Sequence, residues 1–300
     1  MKKLITILLC ALLLCGCAAE EQVKETTIFA MDTVMSMKVW GDEAAEATAE
    51  MTALLNELST SLSAVDETSL LYSGSDHEIF GLAEELSAWT NGAFDPKIHA
   101  LVELWGFPTK EYHIPSPEEI ALAQAVEEWD LGGIAKGYAA EQCTRILDKY
   151  DVSRAILDLG GNVQTYGEKA DGTPWNVAIR NPWFADDYLG VLSAEGTMAV
   201  VTSGDYQRYF EENGVRYHHI LDPETGTPAD AGLSSVTVIC PSGTTADALS
   251  TALFVMGLEE GAEFWRQNEG FEAVFVTTDG TVYATEGAAL SQCQYEVISR

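Results

Sequence analysis

The sequence predicts an α+β fold whose core is a largely antiparallel sheet with flanking helices. Amphipathic helical patterns dominate the first half of the chain, and short alternating strands dominate the second half. The strands follow one another through hairpin-type turns instead of alternating with helices, which argues against a doubly wound parallel sheet. No long linker divides the chain, so we expect one functional unit over residues 28–300.

The first residues are typical of a lipoprotein signal. Two lysines precede an apolar run over residues 4–14, which is shorter than the roughly 20 residues of a membrane-spanning helix. Gly16 comes directly before Cys17, so we expect a signal over 1–16, lipidation of Cys17 and a polar tether over 17–27. An ordinary cleaved secretory signal is the alternative. With the lipid, the protein would be extracytoplasmic and anchored to the cell membrane or its periplasmic face.

One strand and four helices are predicted in the first half. Loose alternation over 28–39 indicates the first strand, which includes Met31 and Asp32. Amphipathic patterns and start signals indicate the helices, over 42–62, 79–90 and 137–149 and at the run Pro115-Ser-Pro-Glu-Glu.

The second half is predicted to be a strand meander that contains one helix. The alternating segments that indicate strands are 155–162, 175–180, 188–193, 198–202 and 235–239. A helix around Asp247 follows them. The segments 271–277 and 281–284 then form a hairpin around Asp279-Gly280.

The net charge is strongly negative. The chain has 16 Lys and Arg against 47 Asp and Glu, a formal charge of −31. Repulsion argues against nucleic acid and anionic lipid surfaces as partners, and solvated acidic faces are the more common cause of such an excess of acidic residues. An anionic ligand would need positive charge from a metal ion or from a few residues, which makes Lys136 and Arg180 conspicuous.

Beyond Cys17 the chain has three cysteines, Cys143, Cys240 and Cys293. Their spacing fits no zinc or redox motif, and an odd number does not make a disulfide framework. We expect them to fill apolar space, so packing rather than cross-linking would stabilise the fold.

Asp247 and Thr251 are the most informative pair of residues. They lie four apart on a predicted helix, so a carboxylate and a hydroxyl project from one face, one turn apart. Such hard oxygens suit Mg²⁺, which takes few protein ligands and completes its shell with water or phosphate. A solvated helix face is the alternative explanation for the same spacing.

The segment Asp130-Leu-Gly-Gly-Ile-Ala-Lys136-Gly-Tyr138 places a turn of small residues before a long helix. Its spacing fits neither a Walker loop nor a Rossmann fingerprint. Free N–H groups near Gly132 and the helix dipole would attract phosphate, and Lys136 adds a charge. A tight turn with a solvated lysine remains the alternative. The tetrapeptide Asp-Leu-Gly-Gly recurs at Asp158, through internal duplication or through chance.

Two further segments carry candidate polar groups. In Tyr217-His-His-Ile-Leu-Asp-Pro-Glu-Thr-Gly226 a strand leads into a turn, so one histidine should face inward and the other outward. A histidine near a phosphate could accept a proton, although a structural histidine is the more common case. In Gly92-Ala-Phe-Asp-Pro96 the aspartate follows a helix end and could cap the next segment.

The segments that contain Gly92, Asp130, Tyr217 and Asp247 together resemble segments of the ApbE family of FAD:protein FMN transferases, and they occur in the same order. The resemblance runs from about Phe29 to the end of the helix after Asp247. It implies two intertwined T-fold-like halves, FAD as substrate, Mg²⁺, and flavin-accepting membrane redox subunits as partners. Two positions depart from the family pattern. Asp32 replaces the glycine of a Met-Gly-Thr signature, and Val65 stands where an aromatic residue is usual.

The resemblance also implies roles for individual residues. The carbonyl of Ala135 would bind the metal with Asp247 and Thr251, while the role of Ser250 stays open. The flavin nucleotide would be bordered by His219 and Ile220, and the phosphate turn would contribute Lys136. Further expected contacts to FAD are Met31, Ala93, Phe94, Asp95, Gly132, Tyr138, Ser203 and Tyr206.

The expected reaction is attack of a partner's Thr or Ser hydroxyl on the FMN-side phosphorus of FAD, with release of AMP. Catalysis of this kind depends on positioning and charge neutralisation. Lys136 would assist, Asp247 would hold the metal, and His219 or a nearby acid would take the proton. Two alternatives stay open: a FAD pyrophosphatase with water as acceptor, and a flavin-binding lipoprotein without turnover.

Overall fold

The computed structural model describes residues 21–73, 77–184 and 186–300. The predicted signal, the lipidation site Cys17 and the first part of the predicted tether lie outside the described residues. None of the helices in the described part of the chain is long and apolar enough to cross a membrane.

The chain begins with a hairpin of two strands, β1 (Val23–Ala30) and β2 (Thr33–Trp40). A two-residue turn joins them, with Met31 and Asp32 both in the left-handed region at φ 48° and 58°. The prediction of one strand over 28–39 is therefore wrong, because alternation continues across a turn that contains no glycine. The tether prediction is also wrong from residue 23 onward, since those residues form β1.

The main sheet has nine strands in the order β1-β2-β3-β4-β7-β10-β11-β12-β14. Its other members are β3 (Arg154–Leu159), β4 (Asn162–Tyr166), β7 (Ala199–Gly204), β10 (Leu233–Cys240), β11 (Glu272–Thr277), β12 (Val282–Thr285) and β14 (Glu296–Ile298). Every pairing is antiparallel except β12 with β14. The predicted α+β class with a largely antiparallel sheet is confirmed.

Five more strands form two small sheets. The first contains β5 (Trp175–Arg180), β6 (Tyr188–Ala194) and β13 (Leu290–Ser291), and the second is the hairpin β8 (Tyr209–Glu212) and β9 (Val215–His218). The three-stranded sheet packs its apolar side chains against the face of the main sheet that carries Val200, Ile239 and Val274. The β8–β9 hairpin stands apart from the main sheet and contributes to the site described below.

Seven helices are described, and the three longest cover the opposite face of the main sheet. They are α1 (Ala44–Ser61), α2 (Leu70–Ser73), α3 (Glu78–Trp89), α4 (His99–Leu104), α5 (Pro117–Gln124), α6 (Ala135–Leu147) and α7 (Gly243–Gln267). The predicted helices correspond to α1, α3, α5, α6 and α7, whereas α2 and α4 were not predicted. A break at Gly257, with φ 79°, bends α7.

The helices and the sheet enclose two large apolar clusters. One lies among α1, α3, α6 and strands β2 and β3, and the other lies between α7 and strands β7, β10 and β11. Cys143 and Cys240 are buried in these clusters, as expected for apolar fillers. Helices α6 and α7 start side by side where the two clusters meet, and the candidate site lies at that junction.

Candidate active site

The start of α6 lies directly against α7. The backbone N–H of Gly137 donates a hydrogen bond of 2.8 Å to Oδ2 of Asp247, whose residue is only 4% exposed. A Cβ on Gly137 would lie 2.1 Å from the carbonyl oxygen of Gly243, so no larger residue fits this approach. A Cβ on Gly133 would lie 3.5 Å from Oγ1 of Thr251. Ala135 lies between these two contact points, so the three expected metal ligands come from neighbouring parts of the structure.

A chain of hydroxyl groups orients Thr251. The Ser250 Oγ donates to the Asp247 carbonyl at 2.9 Å, and the Ser203 Oγ lies 2.8 Å from Ser250 and 3.2 Å from Thr251 Oγ1. A hydroxyl has one proton, so Ser203 donates to Ser250 and Thr251 donates to Ser203. The lone pairs of Thr251 Oγ1 are thereby left for another ligand. Ser250 is fully buried, which gives this residue a supporting role.

The donor set at this junction fits Mg²⁺. The described residues contain no group of three or more His, Cys, Asp or Glu side chains that could hold a metal. The candidate set instead has one carboxylate, one hydroxyl and the main-chain carbonyl of Ala135. No hydrogen bond between described residues uses Oδ1 of Asp247. Few hard oxygens with room for water or phosphate suit Mg²⁺ better than softer transition metals.

Asp130 fixes the turn before α6. Its Oδ1 accepts the N–H of Gly132 at 2.7 Å, and its Oδ2 lies 3.3 Å from Nδ1 of the buried His99. The hydrogen bond to Asp130 raises the pKa of His99. Burial acts to raise the pKa of Asp130, but the bonds from His99 and Gly132 outweigh it and leave that pKa lowered. Each side chain therefore favours the charged form of the other beneath the turn.

Three backbone N–H groups of this turn are already bonded within the protein. Gly132 donates its N–H to Asp130, and Ile134 and Ala135 donate theirs to the carbonyl of Leu131. The amide of Gly132 is thus bonded to Asp130 in this structure, and Gly132 as a contact to FAD stays a prediction. Positive charge at this point comes from Lys136, whose Nζ lies 3.4 Å from the Gly132 carbonyl.

The two Asp-Leu-Gly-Gly segments adopt different turns. At the second copy, Asp158 accepts the N–H of Gly161 at 2.8 Å, and Gly160 and Gly161 both have positive φ. At the first copy the partner is Gly132, which is not in the left-handed region. The different backbone conformations favour chance recurrence over duplication.

The β8–β9 hairpin presents His219 to the site. The His219 N–H donates to the Arg208 carbonyl at 3.0 Å, and Nδ1 lies 3.1 Å from the same oxygen. His218 faces the other way, with Nε2 3.0 Å from the Ala229 carbonyl and its ring against Phe254. The two histidines therefore face opposite ways, as expected for neighbours in a strand, but His219 is also partly buried. Burial and, after it, the charge of Arg208 hold the pKa of His219 well below its ordinary value.

Three of the expected flavin contacts have their side chains in the core. Tyr138 is buried, and its hydroxyl donates to Glu78 at 2.7 Å. Ile220 is buried in the apolar cluster beside α7. Phe94 is buried against Gly133, and its N–H is bonded to Thr90 Oγ1. These three side chains therefore support the elements around the site, and contacts from the three residues to FAD stay a prediction.

Four other expected contacts are more exposed. Met31 is partly buried against the α1 cluster, and its N–H donates to Ser59 Oγ at 2.8 Å. Ala93 also packs on this cluster. Asp95 accepts the N–H of Lys97 at 2.8 Å, which is the capping role named as its alternative. Tyr206 packs its ring over Gly204 beside Ser203, and burial raises its pKa to about 12.

Three cations near these groups have no acidic partner. Across residues 21–73, 77–184 and 186–300, Lys136, Arg180 and Arg208 form no ion pair. Sequence reasoning singled out the first two and missed Arg208. The turn Asn213-Gly214 could have revealed it, because a hairpin closed at that turn places Arg208 opposite His219.

Comparison with known proteins gives a consistent result. The model of the ApbE family matches residues 31–275. The FAD:protein FMN transferase of Treponema pallidum is 34% identical over 71% of this chain and 69% of its own length. The FAD:protein FMN transferase of Haemophilus influenzae is 29% identical over 97% of this chain and 98% of its own length.

Solved structures agree with these sequence matches. The ApbE protein of Thermotoga maritima superposes with a TM-score of 0.82 at 33% identity, covering 88% of this chain and 97% of its own. The flavinyl transferase ApbE of Pseudomonas stutzeri gives a TM-score of 0.75 at 31% identity, covering 90% of this chain and 94% of its own.

Proposed function

Because this chain belongs to the ApbE family and is a transferase enzyme, we propose that it moves FMN from FAD to a hydroxyl group of an acceptor protein and releases AMP. The observation that carries the proposal is the contact between the starts of α6 and α7. This contact holds Asp247 and Thr251 beside the turn that bears Lys136. Lys136 lies close enough to His219 for its positive charge to lower the pKa of the imidazole.

The carbonyl of Ala135, Asp247 and Thr251 would hold Mg²⁺. When bound, the ion would neutralise charge on the diphosphate of FAD. The fit rests on the free Oδ1 of Asp247 and on the lone pairs of Thr251, which the hydroxyl chain leaves available. Lys136 supplies further positive charge, which is scarce in a strongly acidic protein.

The proposed transfer joins the acceptor oxygen to the FMN-side phosphorus and breaks the bond from that phosphorus to the AMP phosphate. The proton of the acceptor hydroxyl goes to Nε2 of His219, and AMP leaves as a phosphate monoester. The acceptor hydroxyl belongs to a Thr or Ser of a flavin-accepting membrane redox subunit. Water in place of this hydroxyl would instead give free FMN and AMP.

The place of action is also part of the proposal. A lipid on Cys17 would hold the domain outside the cytoplasmic membrane, where exported FAD would be its donor. Val23, the first residue of β1, follows Cys17 by six positions. Six residues span at most about 20 Å, so the domain would work close to the membrane that carries its acceptor.

Mass spectrometry of an acceptor subunit tests the proposal. The purified protein is incubated with FAD, Mg²⁺ and a redox subunit that carries a Thr acceptor. We expect an FMN-sized mass gain on the acceptor and an equal amount of AMP. Free FMN with AMP and no labelled acceptor would indicate a hydrolase, and bound intact FAD would leave only a flavin-binding protein.

Matched variants connect this reaction to the site. Asp247→Asn keeps an oxygen for the Gly137 N–H and removes the charge, so labelling should fall while the fold is kept. Asp171→Asn is the control, because Asp171 also accepts a backbone N–H, from Thr173, but lies in an exposed turn. Equal labelling by both variants would contradict the role of Asp247.

A further inference from the structure

Arg208 and His219 lie directly opposite each other in the hairpin. The register pairs Tyr209 with His218, so Arg208 and His219 form the next pair, joined by the His219 N–H. Residues opposite each other on antiparallel strands project from the same face. Phe210 and Tyr217 are the neighbouring pair on this face and stack with ring centroids 5.1 Å apart.

The backbone of Arg208 fixes the tautomer of His219. A carbonyl oxygen only accepts hydrogen bonds, so Nδ1 must carry the imidazole proton that the Arg208 carbonyl accepts. In the neutral ring Nε2 then has a free lone pair. No hydrogen bond to Nε2 occurs among the described residues. The ring is therefore oriented to receive a proton at Nε2.

Burial and, after it, three neighbouring basic side chains lower the pKa of His219, whereas the hydrogen bond to the Arg208 carbonyl raises it. Arg208 faces it from the paired strand, Lys136 from the start of α6, and His218 from its own strand. The adjacent loop contributes the uncharged ring of Phe107, centred 6.4 Å from the imidazole. Arg216 lies on the opposite face of the hairpin and pairs with Asp205 and Glu211. An unpaired guanidinium thus lies on the same face as the imidazole, and a paired one lies on the other face.

We propose that Arg208 is a positioning residue that keeps His219 neutral, with Nε2 free, until a phosphate anion binds beside it. This inference rests on the proposed function, in which the anion is the diphosphate of FAD. Bound phosphate offsets the positive charges of Arg208 and Lys136. The imidazolium that forms when His219 accepts a proton then meets less electrostatic repulsion. The side chain of Arg208 therefore couples the binding of substrate to the acceptance of a proton by His219.

Titration of the His219 imidazole by NMR tests the first half of this idea. The signal is assigned with His219→Gln and followed in the substrate-free protein. We expect Arg208→Met to raise the pKa of His219 by about one unit, and Arg208→Lys to leave it nearly unchanged. Arg216→Met is the matched control and should not move it. An unchanged pKa in Arg208→Met, or equal shifts in the Met and Lys variants, overturns the proposal.

Inorganic pyrophosphate, added without metal, tests the second half on the unmodified protein. We expect it to raise the pKa of His219 and to have a much smaller effect in Arg208→Met. No shift in the unmodified protein overturns the coupling even if a variant fails to fold. Neither titration needs FAD or turnover. If the expected shifts in the pKa of His219 are observed but flavin transfer fails, the proposed function is rejected and the role of Arg208 is not.

Discussion

The backbone N–H of Gly137 bonds to Oδ2 of Asp247 at 2.8 Å, and this bond joins the starts of α6 and α7. The first N–H groups of a helix have no partner within the helix. One oxygen of Asp247 satisfies such a group on α6, while the other is left for a ligand. The same carboxylate therefore holds two helices together and contributes to the candidate metal site.

Replacing Gly137 should separate these helices. In Gly137→Ala the new Cβ would lie 2.1 Å from the Gly243 carbonyl oxygen and 2.6 Å from Cβ of Asp247. Because backbone atoms cannot yield easily, we expect a loss of about 3 kcal/mol in the free energy of unfolding. Denaturant unfolding measures it. Gly81→Ala is the control on an exposed face of α3, with no atom within 4 Å, and should stabilise by about 0.5 to 1 kcal/mol. Equal losses in both variants would contradict the steric argument.

The pair of His99 and Asp130 should make stability depend on pH. The raised pKa of His99 contributes to the stability of the folded protein. This contribution is fully present below the ordinary pKa of 6.5 and is lost as the pH rises through the pKa of the folded state. The lowered pKa of Asp130 also contributes to stability. This contribution is fully present above the ordinary pKa of 3.8 and is lost as the pH falls through the pKa of the folded state.

The cost of His99→Gln should therefore be greatest between about pH 4 and 6.5 and shrink at higher pH. Denaturant unfolding of both proteins across this range measures the difference. A cost that stays constant from about pH 5 to about pH 9 would show that the pair is not ionised.

Tyr138 separates a structural role from a flavin contact. Tyr138→Phe removes the hydroxyl bond to Glu78 and keeps the buried ring. We expect a loss of about 1 kcal/mol in unfolding free energy and no change in the affinity for FAD. Calorimetric titration with FAD alongside thermal unfolding checks both. Weaker binding of FAD at unchanged stability would indicate that the Tyr138 hydroxyl contacts FAD.

Local sequence patterns predicted the residues whose spacing is set within one element. Asp247 and Thr251 share a helix face, and His218 and His219 alternate about a strand, so periodicity predicted how the members of each pair are arranged. The bond from Tyr138 to Glu78 joins residues far apart in sequence, and no local pattern contains it. The turn at Met31 escaped prediction for another reason: its two residues adopt left-handed conformations without glycine.

The oxygen of Thr251 should determine the affinity for Mg²⁺. Thr251→Val keeps the shape of the side chain and removes the hydroxyl that Ser203 contacts at 3.2 Å. Loss of even an indirect metal contact weakens binding about 10- to 100-fold, so losing a ligand should cost at least about tenfold. Thr251→Ser retains the oxygen and should bind nearly as well as the unmodified protein. Thr237→Val is the control, because Thr237 bonds Thr202 at 2.8 Å within the main sheet. Calorimetric titration of Mg²⁺ in the presence of FAD compares the four proteins. Equal affinities for the Thr251→Val and Thr237→Val proteins would remove Thr251 from the metal site and leave its hydroxyl a purely structural role.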